Sequence, residues 1–503
     1  MTMYYPAFEM FEQLAKEGNL IPVYREILAD MDTPVSILSK LNSSPYAFLL
    51  ESVEGGEKWG RYTFLGSDPR VIFTVRGDEV VIQENGECTR SKHNGKPMNC
   101  LKDILDRYRP VIVEGLPRFF GGAVGFLGYD MVRYFEKLPS ENIDDLHADD
   151  AVFLVTDTLI LFDNIRHTIK IVACVFSEEQ GDISSAYQEG IRKIEDIIEF
   201  IRSPMTIRED VHLEVNDMPL VSNMTPDHYR AVVTKAREYI HAGDVIQVVL
   251  SQRFEKDNNL DPIDLYRALR YVNPSPYLFY LKAGDLVLIG SSPEVMVRLE
   301  EGIVELRPIA GTRRRGKGEQ EDRDLADELL QDPKERAEHI MLVDLGRNDL
   351  GRIARIGSVQ VTQLMAVERY SHVMHLVSTI KAQLADGKDC FDVLKATFPA
   401  GTLSGAPKIR AMEIIDELEQ NKRGPYGGAV GYFSYTGNMD LCITIRTMVV
   451  KGGKVFVQTG AGIVLDSDPE AEYRETVNKA EGMMQAIRLA ASGFRITNSN
   501  GGK

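Results

Sequence analysis

The two halves of this 503-residue chain repeat short glycine-rich motifs in the same order. Leu65-Gly-Ser-Asp-Pro-Arg-Val71 resembles Ile289-Gly-Ser-Ser-Pro-Glu-Val295, and Gly121-Gly-Ala-Val-Gly-Phe126 matches Gly427-Gly-Ala-Val-Gly-Tyr432. Apolar runs bounded by glycine are typical of strands. A duplication of such runs predicts two related sheets packed on one another. We therefore expect an antiparallel α+β sandwich rather than a doubly wound parallel sheet.

A stretch without helical or strand periodicity, residues 204–224, contains prolines and predicts a linker. It separates residues 1–203, which contribute glycine-bounded strands, from residues 225–503, where strands and helices mix. Residues 1 to about 40 are expected to be helical. Further helices are predicted at 178–203, 226–242, 261–271, 320–346, 388–398, 406–420 and 468–491.

Composition excludes several classes of protein. The net charge of −17 argues against nucleic acid or an anionic membrane as a partner, because both require a basic surface. Five scattered cysteines suggest neither a disulfide framework nor a zinc site. The acidic N-terminus does not resemble a signal peptide, and no apolar run approaches about 18 residues. We therefore expect a cytoplasmic protein with reduced thiols.

Two pairs of glutamates stand at helical spacing. Glu335 and Glu338 project from one face of a helix that Asp332 and Pro333 are expected to begin, with Ile340 turned toward the core. Each pair alone is also typical of a solvated helix surface.

Glu472 and Glu475 repeat the spacing, and Lys479 follows one turn later on a helix that a glycine turn, Thr459–Gly462, is expected to introduce. If the two helices meet, four carboxylates converge and raise one another's pKa unless a cation lies among them. Carboxylates without neighbouring cysteine or paired histidine favour Mg²⁺ over zinc.

Five long motifs carry a resemblance to a known family. They are P-I-A-G-T-R at 308–313, E-R-A-E-H-I-M-L-V-D-L-G-R-N-D at 335–349, Y-S-H-V-M-H-L-V-S at 370–378, P-A-G-T-L-S-G-A-P-K-I-R-A-M at 399–412 and Q-T-G-A-G-I-V-L-D-S at 458–467. Over residues 45–490 the chain resembles the chorismate-utilising enzymes, in particular component I of anthranilate synthase. The resemblance implies two large packed antiparallel β-sheets flanked by helices, in agreement with the duplication.

The resemblance also implies the roles of individual residues. Glu338 and Glu475 align with the Mg²⁺ ligands, and Glu335 and Glu472 lie one turn away, where they can reach the ion through water. Chorismate would contact Gly311, Thr312, Tyr426, Arg446, Gly460, Ala461, Gly462 and Lys479. The catalytic positions are Glu294, the acid for the departing hydroxyl; His375, for pyruvate elimination; and Gln247, beside the nucleophile. Without the resemblance, Arg446 is typical of a solvent-facing strand residue and His375 of a core residue.

Two positions separate this chain from its relatives. Gln247 stands where the relatives that add water carry a lysine base, which favours ammonia as the nucleophile. Ala310 stands where folate-branch enzymes commonly carry a nucleophilic lysine. The implied reaction is chorismate plus ammonia giving anthranilate and pyruvate, the first committed step of tryptophan biosynthesis. The alternatives are 4-amino-4-deoxychorismate synthase, 2-amino-2-deoxyisochorismate synthase and a non-enzymatic regulatory paralogue that binds chorismate or tryptophan.

The resemblance implies a partner and an inhibitor. The chain has no G-x-C-x-G nucleophile elbow, so a separate glutamine amidotransferase subunit would supply the ammonia, in a hetero-oligomer. The family's tryptophan site joins Ser52 in the first half to Pro276, Tyr277 and Leu278 in the second. Feedback inhibition by L-tryptophan is therefore expected.

Overall fold

Buried runs of the chain pair into two large antiparallel sheets. The computed structural model describes residues 3–52, 60–177, 182–204, 220–370 and 373–495. The strands within these residues are β1 (Leu20–Leu28), β2 (Tyr46–Glu51), β3 (Tyr62–Ser67), β4 (Val71–Arg76), β5 (Glu79–Glu84), β6 (Glu87–Lys92), β7 (Gly122–Leu127), β8 (Ala151–Thr156), β9 (Thr158–Asp163), β10 (Thr168–Phe176), β11 (Val221–Ser222), β12 (Gln247–Asp257), β13 (Tyr277–Ala283), β14 (Leu286–Ser292), β15 (Val295–Glu300), β16 (Ile303–Leu306), β17 (Ile309–Arg314), β18 (Gln360–Arg369), β19 (Val373–Gln383), β20 (Gly405–Ala406), β21 (Ala429–Ser434), β22 (Met439–Ile443), β23 (Thr447–Lys451) and β24 (Lys454–Ile463).

Helices cover these sheets. They are α1 (Phe8–Leu14), α2 (Pro34–Leu41), α3 (Pro97–Leu105), α4 (Ile183–Arg202), α5 (Pro226–Ala242), α6 (Pro262–Val272), α7 (Glu319–Gln331), α8 (Pro333–Gly351), α9 (Cys390–Thr397), α10 (Lys408–Leu418) and α11 (Pro469–Ala491). Short 3₁₀ segments span Tyr129–Tyr134 and Gly401–Leu403. The strand order is β1-β10-β9-β3-β2-β13-β14-β23-β24-β12-β11 in one sheet, with β20 beside β12, and β17-β19-β16-β15-β22-β21-β7-β8-β4-β5-β6 in the other, with β18 beside β19. The predicted α+β fold with two large antiparallel sheets is confirmed.

Each sheet consists of two matching halves around a central strand pair. The central pairs are β2 with β13 and β7 with β21. Moving outward from either pair, strands of the first half of the chain mirror strands of the second half in chain order. Gly125 and Gly431 lie opposite each other at the second centre, and a Cβ on either would collide with a backbone oxygen of the next strand. The second repeated motif therefore marks the position where the two halves meet in this sheet, whereas the first begins on β3 and β14, one strand away from the other centre.

The main hydrophobic core lies between the two sheets. Phe48 and Phe279 enter it from one sheet, and Phe126 and Phe433 from the other. Each such ring contributes roughly 2–3 kcal/mol when it is buried. A second core lies between the outer face of the first sheet and helices that include α4, α6 and α11.

Two of the predicted helical segments were wrong. The N-terminal segment is not helical throughout, because β1 lies between α1 and α2 and pairs along its length with β10. The expected helix over 320–346 is two helices, α7 and α8. Asp332 leaves helical geometry between them, with a ψ of 113°, as a residue before proline favours.

Strands from both sides of the predicted linker enter both sheets. Residues 205–219 of that linker lie outside the described residues. The division into residues 1–203 and 225–503 stays a prediction. Among the described helices, none combines the length and the apolar character that crossing a bilayer requires.

Candidate active site

A cavity of about 240 Å³ lies where β12, β24, α8 and α11 meet. Strand ends and helix faces from the second half of the chain supply its walls. Residues that the sequence analysis singled out make up much of the lining: Gln247, Glu294, Glu338, Tyr426, Arg446, Gly460, Gly462, Glu475 and Lys479. Gly311, Thr312, Glu335, His375, Ala461 and Glu472 do not line it.

Helix α8 brings Glu338 to the cavity. The helix begins as predicted, because the Asp332 side chain accepts hydrogen bonds from the N–H groups of Lys334 and Glu335. The Glu338 carboxylate accepts a hydrogen bond of 3.1 Å from the Gln247 side-chain amide. Burial raises the pKa of Glu338, and the negative charges of Glu335 and Glu475 raise it further.

The buried face of α8 differs from the predicted one. Ile340 is 41% exposed, whereas His339 is fully buried. His339 Nε2 lies 2.6 Å from Ser378 Oγ on β19, and burial lowers the pKa of this histidine to about 4. A neutral histidine therefore fixes α8 against β19 and turns the neighbouring Glu338 toward the cavity.

Helix α11 supplies the facing carboxylate. Asp468 caps its first turn, accepting from the N–H of Ala471. Glu475 lies 2.7 Å from Lys479 Nζ, which also donates to the carbonyl of Gly460 at 2.8 Å. The lysine thus joins the helix to the floor of the cavity and partly offsets its negative charge.

The floor is an extended strand, so the predicted turn at Thr459–Gly462 was wrong. Strand β24 continues to Ile463. A Cβ on Gly460 would lie 2.7 Å from the Tyr426 hydroxyl, and one on Gly462 would collide with the side-chain amide of Gln247. Ala461 points the other way and is fully buried. The glycines are needed for close side-chain packing, and they leave backbone open to a ligand.

Glu294 lies between β14 and β15 and is 8% exposed. Burial raises its pKa to about 8, while a 3.0 Å hydrogen bond donated by Thr402 Oγ1 opposes that rise. This carboxyl therefore holds its proton near neutral pH, as a general acid requires.

Arg446 precedes β23 with a left-handed φ of 50°. Burial lowers its pKa, and the nearby Tyr426 and Glu475 counteract that effect. No side chain in the described part of the chain lies within ion-pairing distance of this guanidinium. A half-buried guanidinium of this kind is suited to an anionic ligand, because an arginine can bind a carboxylate with two parallel hydrogen bonds.

His375 lies beside the cavity with Gly311 and Thr312. Its Nδ1 is 3.1 Å from the Gly311 carbonyl oxygen and 3.0 Å from Thr312 Oγ1. A carbonyl only accepts, so this contact places the hydrogen on Nδ1 and leaves the lone pair on Nε2. Burial lowers the pKa of His375. The neutral imidazole can therefore act as a base through Nε2.

The four glutamates do not form one cluster. Glu335 lies 3.4 Å from Arg313, and Glu472 accepts a hydrogen bond from Ser467. Among the described residues, no three acidic, histidine or cysteine side chains could hold a metal ion together. Glu338 and Glu475 nevertheless fit Mg²⁺, which commonly takes one or two carboxylates and completes its shell with water and an anionic substrate.

Thr402 and Gln458 are among the lining residues of the cavity that were not predicted. Thr402 contacts Glu294, and Gln458 lines the floor. Gln458 Nε2 donates to Ser251 Oγ at 2.9 Å, while its Oε1 has no partner among the described residues. Both lie within the motifs at 399–412 and 458–467, but motif membership does not show which way a side chain points.

A smaller cavity of about 80 Å³ contains all four predicted tryptophan-site positions, Ser52, Pro276, Tyr277 and Leu278. It lies across the junction of β2 and β13, where Glu51 pairs with Leu278. The Tyr277 hydroxyl donates to Asp440 at 2.8 Å, and Arg298 pairs with the same carboxylate. Arg298 lies on β15, the strand that directly follows Glu294, so one rigid element runs from this cavity to the acid.

Comparison with known proteins agrees with this geometry. Residues 46–485 match the family model for chorismate binding enzymes. The chain is 47% identical to anthranilate synthase component 1 of Acetivibrio thermocellus, over 97% of this chain and 99% of the relative. It is 48% identical to that of Aquifex aeolicus, over 96% and 98%.

Solved structures show the same relationship. The crystal structure of anthranilate synthase component I from Streptococcus pneumoniae superposes with a TM-score of 0.75 at 40% identity, covering 86% of this chain and 95% of that one. The menaquinone-specific isochorismate synthase of Escherichia coli shares the fold, with a TM-score of 0.69 at 20% identity over 96% and 99%. This chain therefore belongs to the chorismate binding enzyme family, together with the anthranilate synthase component 1 proteins.

Proposed function

We propose that the protein is a Mg²⁺-dependent anthranilate synthase that converts chorismate and ammonia to anthranilate and pyruvate. The observation that carries the proposal is the buried Glu294 at one wall of a cavity that also holds Gln247, Glu338, Arg446 and Glu475. A protonated acid, two carboxylates and a half-buried cation match the needs of a dianionic substrate that loses a hydroxyl group.

Substrate orientation follows from the charges. Arg446 and the Tyr426 hydroxyl hold one carboxylate of chorismate, and the exposed backbone at Gly460 and Gly462 lets the substrate lie against the floor. Glu338 and Glu475 would hold Mg²⁺, which when bound supplies positive charge for the other carboxylate and for the negative charge that develops on the ring.

Glu294 then donates its proton to the departing hydroxyl, which leaves as water while ammonia adds at ring carbon 2. Gln247 faces the cavity from the end of β12 and donates its N–H to Glu338, so its amide oxygen remains an acceptor for ammonia. An amide cannot remove a proton from water, so this position favours amination. As pyruvate leaves and the ring becomes aromatic, ring carbon 2 must lose its proton. We assign that proton to His375 Nε2; since His375 does not line the cavity, this step requires His375 to move to the bound substrate.

Incubation of the purified chain with chorismate, Mg²⁺ and an ammonium salt tests this proposal. Fluorescence and mass should identify anthranilate and pyruvate. Accumulation of 4-amino-4-deoxychorismate or 2-amino-2-deoxyisochorismate would instead identify an alternative enzyme, and binding of chorismate without turnover would identify a regulatory paralogue.

The ammonia source gives a further test. Residues of this chain alone line the proposed aminating cavity, whereas the sequence lacks the nucleophile elbow of a glutaminase. The isolated chain should therefore use ammonium salts but not glutamine, and addition of a glutamine amidotransferase subunit should confer glutamine-dependent activity. Glutamine hydrolysis by the isolated chain contradicts this part of the proposal.

We also propose that the cavity at Ser52 and Tyr277 binds L-tryptophan as a feedback inhibitor. Its lining combines apolar rings with the charged Arg118, Arg298 and Asp440, which suits a zwitterion that carries an aromatic side chain. Inhibition requires tryptophan to bind an inactive arrangement better than the active one. Strand β15 offers the physical link, because it carries Arg298 at one cavity and adjoins Glu294 at the other.

A further inference from the structure

A second, narrow cavity lies behind Glu294, with about 50 Å³ of space for water. Glu294, Leu342 and Thr402 line both this cavity and the active-site cavity. These side chains therefore form the wall between the two spaces. The acid can be approached from the back, on the side away from the substrate.

Several other groups that line this back cavity are polar. Asp349 and Thr397 line it, and Lys408 Nζ lies 2.8 Å from the Asp349 carboxylate and 3.2 Å from the Thr397 carbonyl oxygen. Arg307 lines the same space and pairs with Glu368, whose side chain is 31% exposed. Besides Glu294, hydrogen-bonding groups thus line this cavity, and one of them, Arg307, pairs with a partly exposed side chain.

The dimensions suit water. A buried water needs roughly 10–15 Å³ of such space and two to four polar partners, so the cavity can hold about three to five waters. We propose that the back cavity holds a hydrogen-bonded chain of waters that returns a proton to Glu294 after each turnover. This inference rests on the proposed function, in which Glu294 is the acid.

The proton balance closes without another reagent. The O–H bond of the Glu294 carboxyl breaks, and its proton joins the hydroxyl that leaves the ring with the electrons of the C–O bond, forming water. The carboxylate then takes a proton from the adjacent water, which is replenished along the chain from solvent. Ammonia releases one proton to solvent after it adds to the ring, so there is no net consumption of protons.

Ammonia would also fit the cavity, but the chemistry favours water. Ammonia is a stronger base than a carboxylate, so a molecule that passes the Glu294 carboxyl takes its proton. The resulting ammonium ion has no lone pair and cannot attack the ring. A conduit that ends at the acid would thus disable both the nucleophile and the acid.

A high-resolution crystal structure of the chain provides the first test, and it does not depend on the reaction. We expect ordered waters linking Glu294 to Asp349 through the back cavity. A dry cavity overturns the inference, even if the protein proves to make anthranilate. Ordered waters in a protein that makes another product would leave the path intact and refute only the proposed function.

Filling the cavity provides the second test. Ala400 lines it, so Ala400→Leu should displace the waters, whereas Ala400→Ser keeps the space and serves as the matched control. Proton return then limits turnover, and kcat should fall about tenfold or more, up to the roughly 100-fold to 10,000-fold that proton transfer contributes to catalysis. The solvent deuterium isotope effect on kcat should rise, while KM for chorismate and for ammonia stays unchanged.

Leu345→Phe fills the same cavity from α8 and provides a second filled variant in case Ala400→Leu does not fold. Thermal unfolding shows which of the two variants is folded. If a folded, filled variant keeps the parent kcat and isotope effect, the inference is wrong. If only KM for ammonia rises, the cavity carries ammonia, and the proton path is likewise overturned.

Discussion

The two halves of the molecule share strand order but carry different charges at matched positions. Arg70 follows β3 where Glu294 follows β14, and Asp157 precedes β9 where Arg446 precedes β23. Helices α4 and α11 pack on the matching strands β10 and β24. These helices even share a pattern of tyrosine, glutamate and lysine, at Tyr187, Glu189 and Lys193 in the first and Tyr473, Glu475 and Lys479 in the second.

The first half also encloses a cavity, of about 500 Å³, lined by Arg70, Asp157 and Lys193 among others. There Asp157 lies 2.7 Å from Lys193, so the charge at the position of Arg446 is neutralised within the protein. In the second half Arg446 has no such partner among the described residues. We infer from this difference that a half-buried guanidinium without an ion-pair partner, rather than cavity size, marks the half that is proposed to be catalytic.

Substitution of Glu294, the proposed acid, should have the largest effect and tests how this position differs from the matched Arg70. Glu294→Gln removes the proton that the departing hydroxyl needs, and kcat should fall by about 100-fold or more. Arg70→Lys, at the matched position, should leave kcat close to that of the parent. Anthranilate fluorescence at saturating chorismate, Mg²⁺ and ammonium measures both. Near-normal turnover by Glu294→Gln would remove the acid from the mechanism.

The two helix glutamates give the next contrast. Glu475→Gln, like Glu338→Gln, replaces a charged Mg²⁺ ligand with a neutral one of similar shape and should abolish Mg²⁺-supported turnover while the protein stays folded. Glu189→Gln makes the same change on α4, where Glu189 pairs with Arg192, and should have little effect. Titration with Mg²⁺, monitored by activity and by unfolding temperature, separates loss of metal from loss of fold. Equal effects at Glu475 and Glu189 would contradict the assignment.

Arg446 and Asp157 test the charge difference itself. Hydrogen bonds to charged groups contribute about 1.5–3 kcal/mol, so Arg446→Gln should lower kcat/KM for chorismate by roughly 10-fold to 100-fold. Asp157→Asn leaves Lys193 without its carboxylate and should lower the unfolding temperature more than kcat/KM. A larger loss of kcat/KM in Asp157→Asn than in Arg446→Gln would reverse the assignment of the catalytic half.

The proposed tryptophan site lies where the two halves join. Ser52→Phe should fill the pocket and remove inhibition with little change in kcat, because the active site lies in a separate cavity. Reciprocity also requires chorismate and Mg²⁺ to weaken tryptophan binding in the parent protein. Calorimetric titration with tryptophan, with and without saturating chorismate, measures this coupling. Equal affinity in both conditions would falsify the allosteric account, whatever the Ser52 variant does.

The fold was predictable because it depends on repeated local patterns. Glycine-bounded strands and the repeats around Gly125 and Gly431 indicate two related sheets, and Pro333 places the start of α8 correctly. Strand β1 was missed because its residues lie in a segment predicted to be helical, and only their pairing with β10 identifies them as a strand. That pairing joins residues far apart in the chain.

The site was less accessible to sequence analysis. Spacing places Glu335 and Glu338 on one helix face, but it cannot show that Arg313, on another element, draws Glu335 away. The glycines of β24 suggested a turn. In the structure they are glycines because the side chains of Tyr426 and Gln247, on other elements, leave no room for a Cβ. The contact of Thr402 with Glu294 depends on a 3₁₀ segment whose direction no motif specifies.

Substitution of Thr402 should have the smallest effect. It tests whether this residue stabilises the ionised or the protonated form of Glu294. Its hydroxyl donates to Glu294, so the hydrogen bond stabilises the carboxylate and opposes the burial that raises the pKa of Glu294 to about 8. Thr402→Val removes that bond and should raise the pKa further. The acid works in its protonated form, so activity is lost as pH rises through this pKa.

The descending limb of the kcat profile should therefore move to higher pH in Thr402→Val. The shift should be at most about one unit, since a hydrogen bond contributes roughly 0.5–1.5 kcal/mol and one unit corresponds to about 1.4 kcal/mol. Thr402→Ser keeps the hydroxyl and should leave the limb in place. A shift to lower pH would mean that Thr402 accepts a hydrogen bond from the protonated carboxyl. Thr402 would then stabilise the neutral acid and add to the effect of burial, which also raises the pKa of Glu294. The direction of this small shift in the kcat profile thus decides whether Thr402 opposes or supports the raised pKa of Glu294, an acid that the first half replaces with Arg70.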